Sequence, residues 1–361
     1  MLEDSHESPE FGDWPLERLM SEVVGTGVKS AADMDRTQAM DAFDRILASE
    51  PALTALGAFL LANRWKRNTP EELAGFLDVM CRAVETAEPD CDPVDCGANY
   101  DGKAETALLG VAAGAVSAAA DVPVVVHGGD GVPSAKAPAY KHVLDELGIE
   151  TELPPESSAE MVDSTGFGFY FQPEFNPAID DLFERRDEMG VRTFLNTIET
   201  LANPAGASVH LGSFYHLTFA KKLVDTIRQS AETAFERTVF FQGMEGYDDI
   251  RPGYTKVVEW ADDDLLDDVT NDYEIETAEL GMDIAYEDLE VDDVAADSAR
   301  ITEAVLSGER TGQFRDAVVL NGAIRIYAGG GAATFGEGLD AARTVLDDGS
   351  ASGVLADLQS F

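Results

Sequence analysis

Val122-Pro123-Val124-Val125-Val126-His127-Gly128-Gly129-Asp130-Gly131 is the stretch that decides the fold class. Three consecutive valines are stiff at χ1 and pack well on a pleated surface, so they predict a strand, and the glycine-bearing segment after them predicts its end. Working outward, an amphipathic helix is expected over 139–147, a strand over 167–171 and, after Pro173, a helix over about 177–188. Further strands over 208–211, 238–242 and 255–260 alternate with helices near 216–230 and 298–306. The chain closes with helices near 313–327 and 337–346. Strands and helices that alternate in this way predict an α/β fold with a mostly parallel sheet.

Upstream of residue 89 the pattern is helical from 14 to about 86. Thr69-Pro70-Glu71-Glu72 is a helix start: Thr69 as N-cap, Pro70 at the first helical position and Glu72 reaching back to close a capping box. Leu53, Leu56, Phe59, Leu60 and Asn63 fall on one helical face. Residues 89–93, polar and flanked by prolines, read as a linker. The expected organisation is a loose terminus over 1–13, a small helical lobe over 14–87 joined by the middle helices near 177–200, and a larger α/β lobe over 93–361. The apolar run 53–63 is too short to cross a bilayer, and no basic, then apolar, leader opens the chain.

Charge is the outlier. The 361 residues hold 69 Asp and Glu against 25 Lys and Arg, a net charge of -44. Spread along the whole chain, such charge repels itself in dilute buffer and is screened in roughly molar salt, where the Debye length is about 3 Å. A cytoplasmic protein of a salt-accumulating organism is the expected setting. Three cysteines without a C-x-x-C spacing argue against a disulfide scaffold or a zinc site. P-loop, H-E-x-x-H and G-x-S-x-G motifs are absent. Gly329-Gly330-Gly331 lies between two helices and reads as a helix stop.

Asp95-Cys96-Gly97-Ala98-Asn99-Tyr100-Asp101-Gly102-Lys103 is a glycine-bearing turn ahead of an alanine-rich helix, a geometry that can aim backbone N–H groups at a phosphate. Taken with Phe59 to Arg64, Thr69 to Leu73, Gly166-Phe167-Gly168-Phe169, Phe171-Gln172-Pro173, Asn176-Pro177-Ala178 and Gly190-Val191-Arg192-Thr193 followed by Asn203-Pro204, it resembles, in order, the anthranilate phosphoribosyltransferase family. The turn is closer to that family's paralogous, nucleic-acid-binding branch, and the architecture is shared with the pyrimidine nucleoside phosphorylases. The resemblance implies a helical lobe plus an α/β lobe, a homodimer, Mg²⁺, and transfer of ribose 5-phosphate from phosphoribosyl pyrophosphate (PRPP) to anthranilate or a related aromatic amine. Membrane association is not implied, and the charge makes nucleic acid a poor generic partner.

The resemblance also nominates residues. Gly97, Asp101 and Gly102 match the family's G-T-G-G-D-G turn, and Lys103 follows it. His127, Gly128 and Ser134 match K-H-G-N-R-x-V-S-S, with Lys136 the candidate to replace cations lost at Val126 and Asp130. These eight are the expected PRPP contacts. Where the family has N-x-S-T, this chain has Ala107-Leu108-Leu109-Gly110, without a side-chain hydrogen-bond donor. Asp248 and Asp249 stand where the family holds Mg²⁺. Arg186 aligns with the arginine that grips the acceptor carboxylate, with Arg185 as a one-residue alternative and Asn176 beside it. The competing explanation for Arg186 is an ion pair with an acid such as Asp181. Competing functions are a non-catalytic nucleic-acid- or nucleotide-binding paralogue and a nucleoside phosphorylase-like enzyme.

Overall fold

The computed structural model describes residues 11–25, 27–133, 135, 137–261 and 271–361. Seven strands form one sheet: β1 (Val94–Gly97), β2 (Val124–Gly128), β3 (Phe167–Phe171), β4 (Val209–Phe214), β5 (Arg237–Gln242), β6 (Tyr254–Ala261) and β7 (Asn271–Glu276), in the order β3-β2-β1-β4-β5-β6-β7. The first five in that row are parallel, while β6 runs antiparallel to both β5 and β7. Strands β1, β2 and β3 are buried at every position, as parallel strands covered on both faces must be.

Strand order reverses at β1: β2 and β3 are added on one side, β4 and β5 on the other. In an open α/β sheet, the crevice outside the carboxyl ends of strands at such a point is where ligands bind. Here it is bordered by the turn after Gly97, the loop after Gly128, the segment after Phe171 and the loop after Phe214. One face of the sheet carries the helices Gly110–Ala119, Val294–Leu306, Gln313–Ala328, Phe335–Asp347 and Ser350–Leu358. The other face meets Leu217–Gln229 and the N-terminal helices Arg36–Leu47, Leu53–Lys66 and Pro70–Ala83.

Local sequence explains the helical lobe. Thr69 accepts from the Glu72 N–H while Glu72 accepts from the Thr69 N–H, so the capping box forms. Leu56, Phe59, Leu60 and Asn63 are buried as expected, but Leu53 is exposed, because it starts the helix before its face reaches the core. Phe194, from the α/β part of the chain, stacks on Phe76 at 4.0 Å and meets the edges of Phe43 and Phe59. Asp78 accepts from Ser230 Oγ at 2.6 Å and pairs with Arg36, tying the lobes together.

Several expected elements change. The helix expected over 177–188 is two short pieces, Pro177–Asp180 and Phe183–Met189, the second ended by Gly190 at positive φ. Helices Pro155–Thr165 and Ser350–Leu358 and strand β7 are additional. β7 has one buried residue, Ile275, with Tyr273 packed beside it on the same face, so its strand state rests mainly on pairing with β6. The acidic run 262–268 lies outside the described residues, as do Ser134 and Lys136.

Candidate functional site

Gly97 and Gly102 shape the turn, but the space their missing side chains leave is filled by the chain itself. A Cβ at Gly97 would overlap the Thr200 carbonyl, and one at Gly102 the Ala137 carbonyl; Gly102 also has φ +83°, a region that favours glycine. The donors after the turn have internal partners. Glu245 accepts from the N–H groups of Ala104 (3.0 Å), Glu105 (3.3 Å) and Thr106 (2.9 Å) and from the Thr106 hydroxyl (2.5 Å). At the start of helix Gly110–Ala119, the Leu108 N–H donates to Ser298 Oγ at 2.8 Å and the Leu109 N–H to Asp249 Oδ2 at 3.3 Å. Two carboxylates and one hydroxyl thus sit where these N–H groups would otherwise offer themselves to phosphate. Burial pushes the Glu245 carboxyl up, but the hydrogen bonds from Thr106 and Ala104 and the charge of Lys103 outweigh it and hold it below its usual range.

Lys103, expected to face phosphate, is fully buried. Its Nζ lies 2.5 Å from Asp249 Oδ2 and donates to the Ala107 carbonyl at 2.8 Å. Asp248 is matched by Arg325, whose Nη2 donates to Oδ2 at 2.7 Å, and by the Tyr140 hydroxyl, which donates to Oδ1. Burial raises the Asp248 carboxyl, against the pull of Arg325. Tyr140 occupies the corner emptied of a side chain at Gly110: a Cβ there would overlap its hydroxyl. Tyr247 packs edge-on to both Tyr140 (4.8 Å) and Tyr100 (5.1 Å).

These contacts test the fit of a divalent metal. A hard cation needs oxygen lone pairs that other cations have not claimed. Of the Asp248–Asp249 carboxylate oxygens only Asp249 Oδ1 lacks a partner among the described residues, and it is buried. Among the described residues no group of three or more His, Cys, Asp or Glu is placed to hold a metal ion. The residues present do not fit Mg²⁺ at this pair.

The acceptor candidates are also spoken for, in part. Arg186 meets Glu199 through both ends of its fork, at 2.9 and 2.8 Å, with both side chains buried; Glu199, not Asp181, is its partner. Glu199 also accepts from Gln172 Nε2 at 3.4 Å, and Gln172 in turn accepts from Asn99 of the turn. Asn176 is fully buried, and neither its amide nitrogen nor its oxygen has a partner among the described residues. His127 is buried inside β2, with Nε2 3.2 Å from Asp95 Oδ1 but off the hydrogen-bonding direction; His210 Nδ1 lies 2.7 Å from Asp95 Oδ2. Burial pushes the Asp95 carboxyl up, yet the two histidines win and hold it at about 2. Gly128 is the last residue of β2, and Asn99 Oδ1 accepts from the next N–H, of Gly129, at 3.1 Å. Asp101 remains half-exposed and pairs with Arg192.

Two family models cover most of the chain: the glycosyl transferase family a/b domain over residues 97–352 and the helical bundle domain of the same family over 25–84. An anthranilate phosphoribosyltransferase of Methanosarcina barkeri is 34% identical over 322 residues, covering 88% of this chain and 84% of that protein. The chain belongs to the anthranilate phosphoribosyltransferase family. Another family member, from Natronomonas pharaonis, is 29% identical, covering 92% of this chain and 97% of the relative. The solved structure of the family's Thermus thermophilus enzyme superposes with a TM-score of 0.78 at 26% identity, covering 91% of this chain and 95% of that one. A Saccharomyces cerevisiae structure in complex with PRPP and Mg superposes at 0.75 and 18% identity, covering 90% and 93%, a likeness of fold.

Sequence reasoning missed Tyr140, Glu199, His210 and Arg325. Each comes from a separate element, and no local spacing marks any of them. Glu245 lay in the segment read for metal, and only its backbone at φ 53° turns its carboxylate toward residues 104–106.

Proposed function

We propose that this protein is a phosphoribosyltransferase that moves ribose 5-phosphate from PRPP to anthranilate or a related aromatic amine with release of pyrophosphate. The observation that carries this reading is the family match through both lobes, whose relatives are named for that reaction. In the transfer the C1′–oxygen bond to pyrophosphate breaks, a C1′–nitrogen bond forms and the amine gives up a proton. Such chemistry asks the protein chiefly for positioning and for charge opposite the leaving group. In this reading PRPP lies along the turn from Gly97 to Gly102 and the loop at His127 and Gly128. Asn176 offers its free amide to the acceptor, while Arg186 holds Glu199 and Gln172 in place. Lys103 acts through Asp249 as a fixed internal cation. Mg²⁺, which accompanies PRPP in the yeast relative, is assigned no ligand here. The proposal includes a homodimer through the helical lobe, where Trp65, Leu61 and Val28 are exposed, and a cytoplasmic setting in high salt.

One observation favours a second reading, a non-catalytic binding paralogue: the N–H donors of residues 104–106 and 108–109 already have internal acceptors. Calorimetric titration of PRPP in molar KCl, with and without MgCl₂, paired with loss of anthranilate fluorescence, separates the two. Heat of binding with fluorescence loss supports transfer. Binding without fluorescence loss supports the fold's ligand and rejects anthranilate as acceptor, and no binding in either condition rejects the transferase.

A further inference from the structure

Most cations in this acidic chain have a carboxylate partner. Arg64, Arg67 and Lys222 have none within 4.0 Å among the described residues, and all three line one cleft of about 250 Å³. The cleft lies between the end of helix Leu53–Lys66, the segment at Thr193 to Thr197, and the first turns of helix Leu217–Gln229. Arg64 Nη1 donates to the Arg192 carbonyl at 2.7 Å and Lys222 Nζ to the Asn68 carbonyl at 2.6 Å, so two of the three are held in place by neutral acceptors that leave their charge unmatched.

Burial lowers the Lys222 amine, and Arg67 is the largest charge acting in the same direction, followed by Lys66; Glu72 and Asp33 oppose them. Both acids bond Lys66, at 2.5 and 3.0 Å. With Lys222, Arg64, Arg67 and Lys66 set against Glu72 and Asp33, the neighbourhood is net positive in a chain of net charge -44. Arg67 adds an independent sign. Its backbone sits at φ 63°, ψ 95°, in the left-handed half that favours glycine, and among the described residues its side chain makes no ion pair or hydrogen bond. Beside the cations lies an apolar wall: Phe219 is partly exposed, with Leu73 and Phe194 behind it, and Thr197 adds a hydroxyl.

We propose that this cleft is a binding site for a small phosphate monoester, its phosphate held by Arg64, Arg67 and Lys222 and its apolar part resting on Phe219. A half-open cleft of this size between two lobes, set in an acidic chain, suits a small anion better than a polyanionic strand. The site shares no lining residue with the Asp248–Asp249 corner, and Arg192, whose carbonyl accepts from Arg64, pairs with Asp101 of the turn.

The test uses the full chain in molar KCl and phenyl phosphate as probe, with inorganic phosphate beside it, read by calorimetry. Phenyl phosphate is expected to bind more tightly than inorganic phosphate. Arg67→Gly and Lys222→Met should each weaken it about tenfold or more, the loss of one charge-assisted contact. Arg67→Gly suits its backbone, so its melting temperature should hold or rise, which separates lost binding from lost folding. Arg310→Gln, at an exposed cation elsewhere, should change nothing. Equal affinity in wild type and both variants, or no binding at millimolar phenyl phosphate, overturns the assignment. Binding of a single-stranded oligonucleotide that both variants abolish, with phenyl phosphate ignored, overturns it in favour of a nucleic-acid surface. Because the readout is not PRPP turnover, failure here leaves the transferase reading to its own experiment.

Discussion

Replacing Lys103 with methionine should be among the most damaging single changes in this protein. Methionine keeps an unbranched stem but removes the ammonium group. It leaves Asp249 buried, with the Leu109 N–H at 3.3 Å as its remaining donor, and strips the Ala107 carbonyl of its lysine bond. Lys103 and Asp249 are both 0% exposed and 2.5 Å apart, so solvent does not screen the loss. Breaking a buried pair by removing one partner costs about 3–5 kcal/mol, against a total stability on the order of 5–15 kcal/mol. Urea unfolding at fixed molar KCl measures it, since a neutral denaturant leaves screening unchanged. The double variant Lys103→Met with Asp249→Leu should recover most of the loss, because a matched apolar pair leaves no buried charge. Added MgCl₂ should leave wild-type stability unchanged. A loss below about 1 kcal/mol in the single variant, the range of a solvated pair, would refute the reasoning. Stabilisation of the wild type by Mg²⁺ that Asp249→Asn removes would refute the statement that the pair does not fit the metal.

Three further outcomes are expected. Glu245→Ala should free the N–H groups of residues 104–106, so that sulfate raises the melting temperature of the variant more than that of the wild type; an equal response would show that this cradle does not select anions. Asp95, held at about 2 in the folded chain against 3.8 as its ordinary value, contributes stability that is present above pH 3.8 and lost as pH falls through 2. The amount is about 2 kcal/mol, and the slope of stability against pH between those values should be shallower in Asp95→Asn; parallel slopes would contradict the histidine pairing. Melting temperature should climb steeply as KCl rises from low to molar concentration, because screening relieves the self-repulsion of 69 acids, and a flat response would refute salt adaptation.

Much of the architecture was legible because its signals are local. Thr69 and Glu72 stand three residues apart, so their reciprocal cap follows from helix geometry alone. The valines at 124–126 and the aromatic run at 167–171 are buried strands whatever lies around them. β7 was not legible, since its apolar face is only the pair Tyr273 and Ile275 and its partner is β6. The break near 181 was hidden because the residues around it are ordinary helix formers.

The candidate site divides along the same line. Sequence by itself determined the family, the order of the elements, the placing of the glycine turn at a strand end and the excess of negative charge, since each is a property of composition or of neighbours along the chain. Only tertiary structure decided which charges meet: Lys103 with Asp249 across 146 residues, Arg325 with Asp248 across 77, Glu245 on the N–H groups of 104–106. The physical reason is that a buried charge takes its character from the partner packed against it, and strands adjacent in the sheet bring together residues that sequence keeps far apart. The same aspartates that read as open metal ligands in the sequence are, in the fold, already neutralised.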